Sequence, residues 1–312
     1  MTRIIRAAMT ETTNAYAGMP DDHTDLDSLA DKLDDIRQAN VDHHVDLAKK
    51  AKEQGAQVIG FGEAFTGPYF ALDKNPMWHA LAEPLDGPTA AQLKATAKEL
   101  GMVIVAPIYE YDAERDQRFN TALVIDADGE LLGHYSKTHI PCGENEQGEF
   151  VEPFYFDRSI GRANLHEKNI STNRYFPVFE TAVGKVGVGI CYDRHFPGVM
   201  SSLAQQGAEL VFSPAVTFGD KSERMWEMEF LVDAARHRLC IGGSNRKGTE
   251  KPWTQPYFGN SYFATPEGKA KNVSTDERLI IADLDLDALQ HDSSGWDLPR
   301  DGRADIYDAP KV

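Results

Sequence analysis

Apolar positions fall into short β-branched runs separated by longer stretches with helical spacing. Residues 4–8, 58–61 and 103–109 read as strands, being rich in valine and isoleucine and bounded by polar or glycine-containing segments. Residues 18–54 are acidic and polar at first and then helical. Leu29, Leu33, Ile36, Val45 and Leu47 give that helix a sparse apolar face, Asp27 or Ser28 its cap and Gly55 its stop. His43 and His44 read as part of its solvated face. A second helix spans 89–100 and ends at Gly101. Residues 120–125 and 130–136 read as a hairpin around Asp126-Ala127-Asp128-Gly129. In 184–197, G-K-V-G-V-G-I-C-Y-D-R-H-F-P, the residues Val186, Val188 and Ile190 alternate with small ones, which predicts a buried strand. That strand breaks at Cys191, and Pro197 opens a helix continued by 199–206.

The second half repeats the order of the first. Gln54-Gly55-Ala56-Gln57-Val58-Ile59 matches Gln206-Gly207-Ala208-Glu209-Leu210-Val211, and 103–110 corresponds loosely to 239–246. Asn120-Thr121-Ala122-Leu123 matches Asn260-Ser261-Tyr262-Phe263, and the Asp128-Gly129 turn matches Glu267-Gly268. This reads as a β-α-β-α-β-β unit used twice. Two such sheets, each with helices on one face, bury their bare faces against each other. The predicted fold is therefore α/β, a four-layer α-β-β-α sandwich with an internal pseudo-two-fold duplication, forming a single domain over 1–312. Glu63, Lys137 and Cys191 then each lie just beyond a strand end, where open α/β sheets carry their chemistry. The acidic tail, from about 284 to 312, shows little periodicity. Its Trp296 and Tyr307 have no local core, which points to a subunit interface.

Charge narrows the function classes. The 312 residues carry 32 Lys+Arg against 49 Asp+Glu, a formal charge of −17, which argues against nucleic-acid and anionic-membrane partners. No apolar run approaches the ~18 residues of a spanning helix. Residues 1–9 are too short and too interrupted for a signal peptide. The three cysteines, Cys142, Cys191 and Cys240, form no CxxC pair or zinc spacing. A reduced, cytoplasmic setting follows as the expectation.

Three residues carry candidate chemistry. Cys191, at a strand end on a sharp turn into a helix, is expected at the exposed rim of a sheet, with backbone N–H groups beyond it aimed at whatever the sulfur attacks. A small buried core cysteine is the competing reading. Glu63 in G-F-G-E-A-F stands among aromatics, which suits a proton acceptor. Lys137 in Y-S-K-T-H-I-P places an ammonium at the next strand end. His139, His195 and acidic neighbours form the alternative, a metal hydrolase, but no HxxxH or HxH set is present.

In this order the three motifs resemble the nitrilase (carbon–nitrogen hydrolase) superfamily. Y-S-K-T-H-I-P, C-Y-D-R-H-F-P and Tyr257-Phe258-Gly259-Asn260-Ser261 resemble its branch acting on N-carbamoyl compounds. The resemblance implies the same sandwich fold, Cys191 as nucleophile, Glu63 as general base and Lys137 as oxyanion donor with the Tyr192 backbone N–H. It also implies a second glutamate after the lysine. Glu152 fits that place best, with Glu144, Glu146 and Glu149 as rivals. Arg194, Tyr192, His139 and His195 complete the expected substrate-binding set, Arg194 clamping a carboxylate. The implied reaction is β-ureidopropionase-like hydrolysis of an N-carbamoyl amino acid to amine, ammonia and carbon dioxide. A non-acidic amide, nitrile or carbamoylputrescine is the alternative. No metal or organic cofactor is implied. The expected partners are a small ureido or amide substrate and further copies of the chain, as a homodimer or larger oligomer.

Overall fold

A computed structural model describes residues 3–290, 295 and 297–303. Its first half contains β1 (Ile4–Thr10), α1 (Leu33–Glu53), β2 (Val58–Gly60), α2 (Pro88–Leu100), β3 (Val103–Asp112), β4 (Gln117–Ile125) and β5 (Leu131–Ser136). A hairpin follows, β6 (Cys142–Asn145) and β7 (Gly148–Val151). The second half contains β8 (Val178–Thr181), β9 (Gly184–Val188), α3 (Pro197–Gln205), β10 (Leu210–Pro214), α4 (Asp220–His237) and β11 (Cys240–Ser244). A short ribbon, β12 (Lys247–Gly248) with β13 (Tyr257–Phe258), precedes β14 (Tyr262–Thr265), β15 (Gly268–Lys269) and β16 (Leu279–Asp285).

The strands form two six-stranded sheets, ordered β16-β1-β2-β3-β4-β5 and β15-β14-β11-β10-β9-β8. β1 to β5 thus correspond in place to β9, β10, β11, β14 and β15. In each half the first three of these are parallel and the last two antiparallel. The duplication seen in the sequence is a duplication of topology.

Alternation along the strands builds the layers. Met9, Val58, Val105 and Val124 of the first sheet join Val188, Phe212 and Phe263 of the second in one core. Their neighbours Ala8, Ile59, Ile104 and Leu123 point the other way, into a core with Leu47 of α1 and Leu93 of α2. Successive side chains on a strand face opposite sides, so each sheet has one sheet-facing and one helix-facing surface. The result is an α-β-β-α sandwich. Glycine lets the sheets approach closely: a Cβ on Gly242 of β11 would lie 2.7 Å from Met9 Sδ, and one on Gly60 of β2 would strike the Phe212 ring.

Three local expectations change. α1 begins at Leu33, not beside Asp27 or Ser28. Asp22 instead caps a 3-10 turn, His23–Leu29, from which the chain runs into the helix, Ile36 N–H bonding Lys32 O. His44 is not solvated. It lies on the buried face with Val41, Leu47, Ala48 and Ala51, packs on Phe61 and Phe65, and donates from Nδ1 to Asn40 O. Burial lowers its pKa to about 3, so it is neutral. The tail does not leave the fold at 284, because Leu284 and Asp285 end β16, which pairs antiparallel with β1. Asp283 pairs across that ladder with the opposed Arg6, on its exposed face. Trp296 and Tyr307 lie outside the described residues. Among the described residues no helix is long and apolar enough to cross a membrane.

Candidate active site

Glu63, Lys137 and Cys191 each follow the end of a strand: β2 stops at Gly60, β5 at Ser136 and β9 at Val188. Glu63 lies in a tight loop that continues through Ala64, whose φ is +46°. Arg246, two residues beyond β11, holds this loop by donating from Nη2 to the carbonyls of Glu63, Ala64 and Gly67. Its own charge is met by the buried carboxylate of Glu250, which also accepts the Tyr69 N–H.

The side chain of Glu63 is buried and saturated on three sides. Its Oε1 accepts from Lys137 Nζ (2.8 Å) and Asn120 Nδ2 (2.7 Å), and its Oε2 from the Val216 N–H (2.6 Å). Lys137 is fully buried and also donates to Glu152 Oε2 at 2.7 Å. Glu152 Oε1 accepts from the Tyr69 hydroxyl at 2.9 Å. Of the four candidate glutamates after the lysine, Glu152 alone joins this chain, from a 3-10 turn directly after β7. Glu144, Glu146 and Glu149 are exposed on the hairpin. Burial lowers the basicity of Lys137, but Glu152 and Glu63 outweigh it and leave its pKa raised. Burial lifts Glu152 to about 7, with Glu63 adding and Lys137 opposing.

Cys191 is not at an exposed rim. Only 5% of it is accessible, and its Sγ faces the Val216 carbonyl at 3.6 Å. Burial pushes the thiol up to about 12 and Glu63 adds to this, while Lys137 and Arg194 pull back only in part. The resting sulfur is thus a neutral thiol. The chain reverses at Cys191 with φ +49°, a left-handed conformation that non-glycine residues adopt only under constraint. The constraint is Asp193, fully buried, whose carboxylate accepts the Ile190 N–H, the His139 N–H and Nδ1, and the Tyr135 hydroxyl. Asp193→Ala orphans these buried donors. It is expected to destabilise the protein by about 3–5 kcal/mol in chemical denaturation, with loss of turnover at temperatures where the fold persists.

Cys191 and Glu152 line a small cleft of about 90 Å³ with Tyr69, Arg194, His195 and Phe218 among others, whereas Glu63 and Lys137 are not part of its wall and reach it through the contact of Lys137 with Glu152. Tyr192 also lines it and is exposed, its ring edge-on to His195 and Phe196. His139 is not brought to the cleft wall. It stacks on Phe196 and pairs with Asp193, whereas His195 pairs with Glu229. Arg194 is buried, donates to Cys191 O (2.9 Å) and Thr217 Oγ1 (3.2 Å), and sits over the Trp226 ring. A wider groove of about 920 Å³ lies between α3, the end of α4 and the segment after β16. It contains none of the residues above, so the smaller cleft is the candidate site. Asn120, Tyr69, Asp193, Glu229 and the Arg246–Glu250 pair were given no site role by the sequence. Arg246 had the same signal as the others, a polar residue just past a strand end.

Comparison with known proteins places the chain. Residues 35–292 match the carbon-nitrogen hydrolase family. An N-carbamoylputrescine amidase of Oryza sativa subsp. japonica is 31% identical over 288 residues, covering 88% of this chain and 89% of that one. A β-ureidopropionase of Arabidopsis thaliana is 31% identical over 271 residues, 81% of this chain and 62% of that longer one. A carbon-nitrogen hydrolase of Helicobacter pylori G27 has the same fold, with a TM-score of 0.77 at 23% identity over 98% of this chain and 97% of that one. This chain therefore belongs to the carbon–nitrogen hydrolase (nitrilase) superfamily and is a hydrolase of non-peptide carbon–nitrogen bonds.

Proposed function

We propose that the chain hydrolyses an N-carbamoyl amino acid, with Cys191 as nucleophile. The observation that carries this reading is the buried line Glu152–Lys137–Glu63, which reaches the cleft at Glu152, with the neutral thiol of Cys191 on the same cleft wall. A carboxylate offers about four lone-pair positions. Three on Glu63 are taken by Lys137, Asn120 and the Val216 N–H. The fourth is left for one proton in transit. As Sγ attacks the ureido carbonyl carbon, Glu63 takes the thiol proton. Lys137 and the Tyr192 backbone N–H hold the developing oxyanion. The intermediate collapses by breaking the bond to the terminal nitrogen, which leaves as ammonia with the proton from Glu63. Glu63 then deprotonates a water that attacks the S-carbamoyl carbon, and returns that proton to the departing sulfur. The released carbamate loses carbon dioxide to give the amine. Glu152 fixes Lys137 for both steps.

The N-carbamoyl class is supported by the names of the rice and Arabidopsis relatives. The preference for an acid rests on Arg194, whose planar guanidinium lines the cleft. Arg194→Ala is expected to lower kcat/KM for a carbamoyl acid by roughly 30- to 5,000-fold, about 2–5 kcal/mol, and far less for a matched uncharged ureide. Equal losses on both would make Arg194 a brace of the Cys191 turn. A second reading, a carbamoyl compound with a neutral or cationic tail, is favoured by one contact: Glu229 already offsets Arg194. Ammonia release from a panel of N-carbamoyl-β-alanine, small N-carbamoyl α-amino acids, N-carbamoylputrescine and simple amides tests the proposal. Turnover of amides with none of the ureides would overturn it.

A further inference from the structure

Arg194 lies next to an acid, Asp193, that does not neutralise it. Both oxygens of Asp193 point away, to Ile190, His139 and Tyr135. The compensating charge comes from α4. Glu229 Oε2 stands 3.3 Å from Arg194 Nε, and its Oε1 accepts from His195 Nδ1 at 2.7 Å. Glu229 is 12% exposed and is not part of the cleft wall, whereas Arg194 and His195 are. Glu229 therefore touches the cleft only through those two residues. The contact with Arg194 is an ion pair without a hydrogen bond: Oε2 and Nε are both buried with no hydrogen-bond partner. Of the four Nη hydrogens of Arg194, one is given to Cys191 O and one to Thr217 Oγ1, which leaves donors for a bound tail. Trp226, one helical turn before Glu229, underlies the guanidinium and is itself anchored by Nε1 to Asn260 O. The helix thus supplies both the surface on which Arg194 lies and the anion behind it. By accepting from Nδ1, Glu229 also fixes the His195 tautomer, leaving Nε2 as the acceptor of the neutral ring.

We infer that Glu229 is a specificity-determining positioning residue, which sets the charge of substrate tail that the cleft accepts by offsetting Arg194 and orienting His195. The inference rests on the reading that Arg194 meets the tail of an N-carbamoyl substrate. With Glu229 in place, the charge of Arg194 is partly offset, which moderates its preference for a carboxylate tail. With Glu229 neutral, Arg194 faces the tail uncompensated. At the short separations of a cleft wall this favours a carboxylate and disfavours an ammonium.

The test uses three ureides of equal chain length ending in a carboxylate, a primary amide and an amine, at low ionic strength and one pH. The quantity read is the ratio of kcat/KM for the carboxylate to that for the amine. Glu229→Gln is expected to raise this ratio by roughly 10- to 30-fold over wild type, and Glu229→Asp to restore it to within about threefold. A ratio unchanged in Glu229→Gln, with equal losses on all three substrates, would overturn the inference and leave Glu229 as support for the turn. Where Glu229→Gln alone does not fold, the double variant R194Q/E229Q removes both buried charges together and leaves neither uncompensated. It is expected to discriminate the two charged tails less than threefold; retained discrimination overturns the inference. Wild-type protein that releases ammonia from none of the three ureides overturns the proposed function itself, and this inference with it.

Discussion

Cys191→Ser is expected to fold like the wild type and to lose at least about 10⁴-fold in turnover, measured as ammonia release. The change removes one polarisable atom from a buried position and keeps the size of the side chain, so thermal unfolding should shift little. The chemistry is less tolerant. Burial and Glu63 already hold the thiol near 12. A hydroxyl is intrinsically far harder to deprotonate, and Glu63 is positioned by three fixed hydrogen bonds that leave it no room to compensate. The other cysteines separate this role from general thiol loss. Cys240 is buried in β11 and Cys142 is exposed on the hairpin. Cys142→Ala should keep most of the activity. Full activity in Cys191→Ser would end the covalent mechanism.

Lys137→Met should cost both activity and stability. Lys137 is the cation between two buried carboxylates, at 2.8 Å from Glu63 and 2.7 Å from Glu152. Removing it leaves two like charges without compensation, and breaking such a buried network costs about 3–5 kcal/mol. The loss should depend on pH. In the wild type, burial lifts the Glu152 carboxyl from 4.5 to about 7. A carboxyl raised in the folded state binds more protons folded than unfolded. Its contribution is complete below the unfolded value and is lost as pH rises toward the folded one. Without Lys137 the folded value rises further, so the variant should weaken steadily from pH 5 to 8 in denaturant titrations, more steeply than wild type. Turnover should fall by at least about 10²–10³-fold from the missing oxyanion donor alone. A variant with a tenth of wild-type activity would show that Lys137 has no such role.

The strand ends were legible because short β-branched runs, each stopped by glycine or polar residues, mark them without tertiary information. That sufficed to put Glu63, Lys137 and Cys191 at one edge of the sheets and, with the repeat, to give the sandwich. The partners that fix these side chains were not legible. Asn120 meets Glu63 across 57 residues, Tyr69 meets Glu152 across 83, and Arg246 meets the Glu63 loop across 183. Such contacts leave no local period. His44 shows a different limit. Its face of α1 is completed by Ala48 and Ala51, which carry too little apolar surface to announce a buried stripe. In β16, Asp283 and Asp285 on the outward side masked the inward alternation of Ala282 and Leu284.

The two halves share a topology but divide the chemistry between them. Glu63 and Lys137 stand on the first sheet, Cys191 and Arg194 on the second. In the proposed mechanism, proton acceptor and sulfur thus approach each other across a seam, and its width is set where Phe212 lies over Gly60 and Met9 over Gly242. Neither half alone carries the full set of proposed catalytic residues. On the proposed mechanism, a layer that loosens would part the thiol from its base at once, so a damaged molecule is expected to fall silent and not to become a less selective hydrolase.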